Sequence, residues 1–372
     1  MNELTSLETP AAVVDLDRLT RNLDRAAGYA STHSLSLRPH VKTHKSSWIA
    51  AEQMRLGAKG VTCATPREAE VMSAVSDDIL VAYPPVGKAR AERIASLATN
   101  AKVTVALDSL DAIDHIERAA LAAKVQVGVY VELDLGMHRV GVPSIESAIG
   151  LAKRVEASAA LSYEGIAFYP GHIREPVNAQ EQGLIQLSAT LTTALDALRA
   201  AGVPARAVSG GSTPTLWQTH QVAGVTELRP GTYVFNDRVT AEIGACSWDD
   251  CALTVLATVV STAVSGQAVI DAGSKALGRE PMRGADGAGG FGALLDRPDV
   301  VVKSMSEEHG LLDLSRTAWR PRVGDVVRVV PNHVCIVVHL NDMMFGVRGD
   351  RVELSWPVEA RGRGNTAHDG GR

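Results

Sequence analysis

Up to about residue 240 the chain alternates two textures. Short apolar runs rich in β-branched residues are separated by longer stretches rich in Ala, Leu and Arg. The short runs predict strands over 12–16, 35–41, 60–63, 79–82, 103–106, 125–133, 163–168, 205–208 and 227–234. The longer stretches predict helices over 19–30, 46–56, 66–74, 88–98, 109–122, 145–157 and 180–200. Strand–helix alternation of this kind means a parallel sheet with crossover helices. About eight such repeats close a barrel. Nine candidate strands are one too many, and 12–16 is the one placed outside, which leaves 35–41 as the first barrel strand.

From about residue 243 the texture changes. Val-rich runs over 253–260, 268–270, 300–302, 326–330, 334–340 and 344–347 predict strands, and no clear helix separates them. The expected fold class is therefore α/β: a TIM-like (β/α)8 barrel over 8–242, followed by an all-β domain over 243–361. The first predicted strand can pack with the second domain. The Gly- and Asp-rich stretch 284–292 reads as a mobile loop, and the polar, Gly-rich tail 362–372 as disordered.

Bulk composition narrows the picture without changing it. The 372 residues fit about two domains. A net charge of −5 argues against a nucleic-acid or anionic-membrane partner. No apolar run reaches the roughly 18 residues of a membrane span. The first ten residues carry no apolar core of a signal peptide. The four cysteines are scattered, which suggests a cytoplasmic chain whose special cysteines are ligands or redox groups.

The chemistry-bearing residues cluster where a barrel would place them, at the C-terminal ends of strands. If 35–41 is a strand, Arg38, His40 and Lys42 share one face. Three such groups facing inward are costly unless an anion or a reactive group sits among them. A lysine in that company meets the condition for a Schiff-base lysine; a basic surface loop is the other reading. The turn Gly210-Gly211-Ser212-Thr213 suits a phosphate cradle, though ordinary tight turns look the same. Arg139 can donate to an anionic oxygen or be a solvated loop arginine. Tyr169 and His172 follow the next strand, and spacing alone gives them no role. On a predicted strand, His333 and Cys335 lie two apart on one face, roughly 6.5–7 Å from each other. Imidazole and thiolate can bridge that gap through zinc or manganese; a packed strand with an incidental cysteine has the same pattern.

Taken together, the strings RPHVKTHK, DLGMHRVGV, YPGH, SGGSTPTLW, ELRPGTYVFND, DAGSKAL, SEEHG and PNHVC resemble the fold-type III pyridoxal-phosphate enzymes, whose barrel is alanine-racemase-like. The chain is similar above all to the branch that holds D-threonine aldolases, D-serine dehydratases and 3-hydroxy-D-aspartate lyases. The strings run in the family's order from residue 38 to residue 335, across most of both domains. The resemblance implies that Lys42 binds pyridoxal phosphate, with His40 among the cofactor-binding residues. Lys45 and Lys275 are competing lysines that lack the family position. The resemblance further implies that Arg139 faces the cofactor's phenolic oxygen, that Tyr169 lies against the cofactor and that Arg229 lies near its ring. Gly211, Ser212, Thr213, Gly231 and Thr232 would hold the phosphate. His333 and Cys335 would hold a divalent metal, manganese or zinc, with magnesium a third option.

The activity implied is a lyase on small D-3-hydroxy amino acids. The cofactor serves as electron sink, and the metal as Lewis acid on the β-hydroxyl. D-Threonine aldolase is the first reading, with His172 as candidate base for the hydroxyl. A D-serine or D-threo-3-hydroxyaspartate dehydratase is the second. Several aldolases of the branch carry aspartate where this chain has Cys335, whereas the D-serine dehydratases carry cysteine. The run Ile336-Val337-Val338-His339 also lacks the usual proline and threonine. Against that, SGGSTPTLW and RPGTYVFND resemble the low-specificity aldolases. A racemase would need a second base, usually a tyrosine of the second domain, and no tyrosine follows Cys246. A non-enzymatic pyridoxal-phosphate carrier would resemble the barrel alone. The family further implies a homodimer.

Overall fold

The structure is a computed structural model that describes residues 3–282 and 289–362. It divides into two units: Ala27–Gly231 with Glu359 onward, and the chain up to Ala26 with Thr232–Val358. β1 (Ala11–Asp15) lies in an antiparallel-rich sheet of the second of these. The next eight strands are all parallel: β2 (Ser36–Leu37), β3 (Val61–Cys63), β4 (Asp78–Val81), β5 (Lys102–Leu107), β6 (Val127–Glu132), β7 (Leu161–Ala167), β8 (Ala207–Gly210) and β9 (Glu227–Leu228). Their order is β2-β9-β8-β7-β6-β5-β4-β3. A single bridge, His40 to Thr62, joins the two ends of that order, with Val41 N–H to Thr62 O at 2.9 Å and Thr62 N–H to Pro39 O at 2.8 Å. This is the alanine-racemase-like α/β architecture expected from the sequence.

The crossover helices start where the sequence offers a cap. Thr65, Ser109 and Ser144 each accept a backbone N–H of the first turn, from Glu68, Ala112 and Ser147. Such bonds satisfy donors that a helix start leaves free. Leu110–Ala123 buries Ala112, Ile113, Ile116, Ala119 and Ala120, one face at helical spacing. On the sheet, Tyr130 packs among Leu80, Ala106 and Ala167, so one large side chain fills a layer otherwise made mostly of small ones.

The predicted strand 35–41 is a regular strand only over Ser36–Leu37, though Arg38 N–H still donates to Leu228 O at 2.8 Å. Pro39 has no N–H to donate, and the chain then folds into a turn in which His44 and Lys45 both donate to Val41 O. Lys42 therefore lies in a turn and not on one strand face with Arg38 and His40. Arg38 has its own anions, with Nε 2.9 Å from Glu227 Oε2 and Nη1 2.7 Å from Asp78 Oδ1. Both Arg38 and Glu227 are buried. Burial pushes the Glu227 carboxyl up, but Arg38, the Ser209 hydroxyl and Lys59 outweigh it and hold it below the usual carboxylate range. A depressed carboxyl stabilises the fold above its unfolded pKa and loses that contribution as pH falls through the folded value. Glu227→Gln is thus expected to cost about 3–5 kcal/mol at neutral pH, because it leaves Arg38 short of a buried partner. Its melting temperature should also fall less than the parent's as pH drops below about 4. Equal melting curves for the two proteins at pH 7 would refute this.

In the other unit the sheet order is β11-β14-β13-β12-β15-β10-β1-β16-β17. The strands are β10 (Leu253–Ser261), β11 (Gln267–Ile270), β12 (Gly292–Leu294), β13 (Arg297–Met305), β14 (Gly310–Asp313), β15 (Val326–Pro331), β16 (Met343–Arg348) and β17 (Arg351–Pro357). β1 runs antiparallel to β10 and parallel to β16. Strands β12, β14 and β17 escaped the sequence reading because they lack a Val-rich run.

The expectation of a strand over 334–340 is wrong: Val334–Leu340 is an α-helix. Its buried residues, Val334, Val337 and Val338, follow the spacing of a helix face, and tertiary packing overrides the β-propensity of valine. The C-terminal domain is an antiparallel-rich β domain as expected, but within 243–361 it also holds the short helix Ser274–Leu277, which the reading of no helices missed. The predicted strand 227–234 ends at Leu228, and Thr232–Val234 is a 3-10 turn after Pro230 and Gly231. Residues 284–288 of the expected mobile loop, and the expected disordered tail from 363, lie outside the described residues. Among the described residues no helix is long and apolar enough to cross a membrane.

Candidate active site

The barrel brings most of its predicted residues to one end. Lys42 sits in the turn after His40. His40 N–H donates to Pro230 O at 2.9 Å, which draws this turn against the segment Arg229-Pro230-Gly231. A Cβ on Gly231 would lie 2.8 Å from Thr43 Oγ1 and 3.1 Å from His40 O, so only glycine fits there. Burial, and then the cations of Lys42, Arg229 and Lys45, hold the His40 imidazole well below its ordinary pKa. His40 is therefore neutral at neutral pH.

The competing lysines are committed elsewhere. Lys45 is buried against Glu68, whose other oxygen accepts Ala64 N–H. Lys275 is exposed and paired with Glu308 at 2.5 Å. Among the described residues no carboxylate pairs with Lys42, which leaves its amine available for chemistry.

Arg229 braces the neighbouring strand ends. Its backbone N–H donates to Gly210 O at 3.1 Å, and Nη2 donates to Phe168 O at 2.7 Å. The turn it touches is a glycine cradle. A Cβ on Gly210 would lie 2.3 Å from the Phe168 ring, and Gly211 has φ +92°, a left-handed backbone that glycine adopts readily. Ser212 and Thr213 are buried beside it, and Ser212 Oγ lies 3.0 Å from Thr215 Oγ1. Close backbone and hydroxyl donors of this kind suit a phosphate.

The loops after β6 and β7 meet. Asp134 accepts the N–H groups of Gly136 and His138 and shapes the first loop. From it Arg139 lies over the Tyr169 ring, 5.0 Å from the centroid. His172 is exposed, and its ring packs against Gly136, where a Cβ would come within 2.9 Å of Nε2. Glu132, at the end of β6, was missed from sequence. It is buried, its Oε2 has no hydrogen-bond partner, and burial raises its pKa against the pull of Arg229. Arg229 Nε is likewise buried without a partner. Orphaned polar atoms this close to a glycine cradle are what a polar ligand would satisfy, and pyridoxal phosphate fits that demand. The only sequence signal for Glu132 was an acid closing an otherwise apolar strand.

His333 and Cys335 lie in the other unit. They are not side by side on a strand: His333 is the N-cap of the helix Val334–Leu340, and Cys335 lies in its first turn. They are nevertheless neighbours, since the Cys335 side chain lies near enough to favour the charged form of His333. Asp237 joins them from 96 residues away, with Oδ2 3.1 Å from His333 Nδ1. Burial opposes the imidazolium, but Cys335 and Asp237 outweigh it and raise its pKa. Asn332 fixes the corner before His333 by donating to Glu280 O and Gly290 O at 3.0 and 2.8 Å. One nitrogen and one sulfur donor suit a borderline metal. Among the described residues no third His, Cys, Asp or Glu completes a cluster, so water or substrate would fill the other positions. Thr232, which opens the 3-10 turn, accepts Asn236 N–H at 2.7 Å through its carbonyl.

Residues 14–239 match the family described as alanine racemase, N-terminal domain, and residues 252–347 match a putative serine dehydratase domain. The chain is 31% identical over 368 residues to a D-threonine aldolase of Arthrobacter sp, covering 96% of this chain and 94% of that one. It is 35% identical over 349 residues to the D-threo-3-hydroxyaspartate dehydratase of Delftia sp. (strain HT23), covering 89% and 92%. The metal-free form of a D-threo-3-hydroxyaspartate dehydratase variant superposes with TM-score 0.86 over 96% of this chain and 99% of the other, at 32% identity. The crystal structure of D-threonine aldolase from Filomicrobium marinum superposes with TM-score 0.89 over 96% and 97%, at 33% identity.

Proposed function

The chain belongs to the alanine racemase N-terminal-domain family, in the branch that adds a serine dehydratase domain, and from that premise we propose a pyridoxal-phosphate- and divalent-metal-dependent lyase of D-3-hydroxy amino acids. Relatives of this branch are aldolases and dehydratases, both of them lyases. The first reading is D-threonine aldolase, which gives glycine and acetaldehyde. The observation that carries the proposal is the neighbourhood of Lys42. An amine that no carboxylate pairs with among the described residues stands beside the neutral His40, the Arg229 brace and the Gly231 close approach.

Lys42 would hold the cofactor through Nζ. Gly211, Ser212, Thr213 and Gly231 would hold its phosphate. Arg139 would lie at its phenolic oxygen, Tyr169 against it, and Arg229 and His40 near its ring. When bound, the cofactor supplies a ring that accepts the electron pair released at Cα. His333 and Cys335 would hold the metal, which supplies a Lewis acid for a hydroxyl. Manganese and zinc both suit this donor pair.

The two readings differ in which proton the chain removes. In the aldolase, a base takes the β-hydroxyl proton as the Cα–Cβ bond breaks, and His172 is proposed for it. In the dehydratase, Lys42 Nζ takes the Cα proton, the hydroxyl leaves with a proton as the water that this transfer balances, and a water then hydrolyses the resulting imine to 2-oxobutyrate and ammonia. Cys335 in place of aspartate favours this second reading. Product identification from D-threonine separates them. Equal amounts of glycine and acetaldehyde are expected, whereas ammonia with 2-oxobutyrate would replace the aldolase by the dehydratase. We place the enzyme in the cytoplasm as a homodimer on the family resemblance.

A further inference from the structure

We propose that Asp237 is a positioning residue that turns His333 into a metal donor through Nε2, an inference that rests on the metal reading above. Asp237 is buried and divides its two oxygens between two tasks. Oδ1 caps the helix Arg238–Glu242, accepting the Thr240 N–H and the Thr240 hydroxyl, each at 2.9 Å. Oδ2 takes no part in that cap. It accepts Val334 N–H at 3.3 Å and lies 3.1 Å from His333 Nδ1.

A carboxylate only accepts hydrogen bonds, so the nitrogen facing it must carry the hydrogen. Nδ1 thereby keeps its hydrogen, and Nε2 is the atom left for a metal, which takes the place of any proton there. The bond to Val334 N–H pins the backbone on the C-terminal side of His333, while Asn332 pins the preceding side through Glu280 and Gly290. The ring is therefore fixed in direction, with Nδ1 turned to Asp237, before any ion arrives. Second partners of this type typically change metal affinity by about 10–100-fold. A cap alone would use Oδ1 and would leave the direction of the His333 ring unspecified. The capping box of Asp237 and Thr240 provides the control, because it can be weakened without touching Oδ2.

The test is Mn²⁺ binding to the purified holoenzyme, with free ion counted by electron paramagnetic resonance. Four proteins are compared: the parent, His333→Ala, Asp237→Asn and Thr240→Ala. Asparagine caps a helix about as well as aspartate, so Asp237→Asn keeps the cap but presents an amide to Nδ1. The expected result is tight binding by the parent, loss in His333→Ala, weakening of about 10–100-fold in Asp237→Asn, and little change in Thr240→Ala. All four melting temperatures are recorded, and the weakening should appear in Asp237→Asn without a matching loss of fold. Asp237→Asn binding like the parent, or Thr240→Ala losing as much, would overturn the positioning role while leaving the metal reading intact. A parent that binds no Mn²⁺, or His333→Ala that binds as well as the parent, would overturn both.

Discussion

Lys42→Ala is expected to lower turnover of D-threonine by roughly a thousandfold or more, since it removes the covalent attachment of the cofactor and, in the dehydratase reading, the base as well. The same variant should lose the visible absorption of lysine-bound cofactor. No neighbour can replace Lys42. Lys45 is only three positions away, but its ammonium is buried against Glu68, and freeing it would strand a buried carboxylate. Lys275 is held by Glu308 in the other unit. The cradle at Gly210 and Gly211 does not involve Lys42, so the variant should still bind pyridoxal phosphate weakly through the phosphate. Free cofactor recovered on dialysis, with no visible band, is the expected signature. A variant that keeps both the band and the turnover would move the attachment to another lysine.

Removing the metal is expected to lower turnover by roughly 100-fold or more, the loss of several kcal/mol of charge stabilisation at the departing or cleaving group. Exhaustive chelation should produce this loss, and added Mn²⁺ or Zn²⁺ should reverse it. His333→Ala should show the same loss without reversal, because Cys335 would lose the nitrogen donor it is paired with. Folding should survive in both cases. His333 caps its helix without a side-chain bond to it, and Val334, Val337 and Val338 anchor that helix. Undiminished turnover in the chelated enzyme would remove the metal from the account and leave the Lys42 site standing.

The barrel was legible because its strands are continuous apolar runs separated by capped amphipathic helices, both of which are local patterns. The order of the site strings along the chain was legible for the same reason. What failed depended on distance. Val334–Leu340 reads as a strand from its valines, and only packing shows that Val334, Val337 and Val338 form a helix face. Arg38 reads as part of a reactive cluster, but its carboxylates lie at Asp78 and Glu227, 40 and 189 residues on. Asp237 looks like a helix cap, and nothing local reveals that its second oxygen meets His333. The geometry argued for His333 and Cys335, two side chains on one strand face, was wrong, yet the two residues are neighbours, across the first turn of a helix. Glu132 gave only the weak signal of an acid ending a buried strand.

The central claim is a lyase selective for D-3-hydroxy amino acids. The most direct measurement is carbonyl product from D-threonine and L-threonine in parallel, with the purified protein, pyridoxal phosphate and Mn²⁺. The account predicts acetaldehyde from the D enantiomer and none from the L. Product from L-threonine at a similar rate, or no carbonyl product from either, would contradict it.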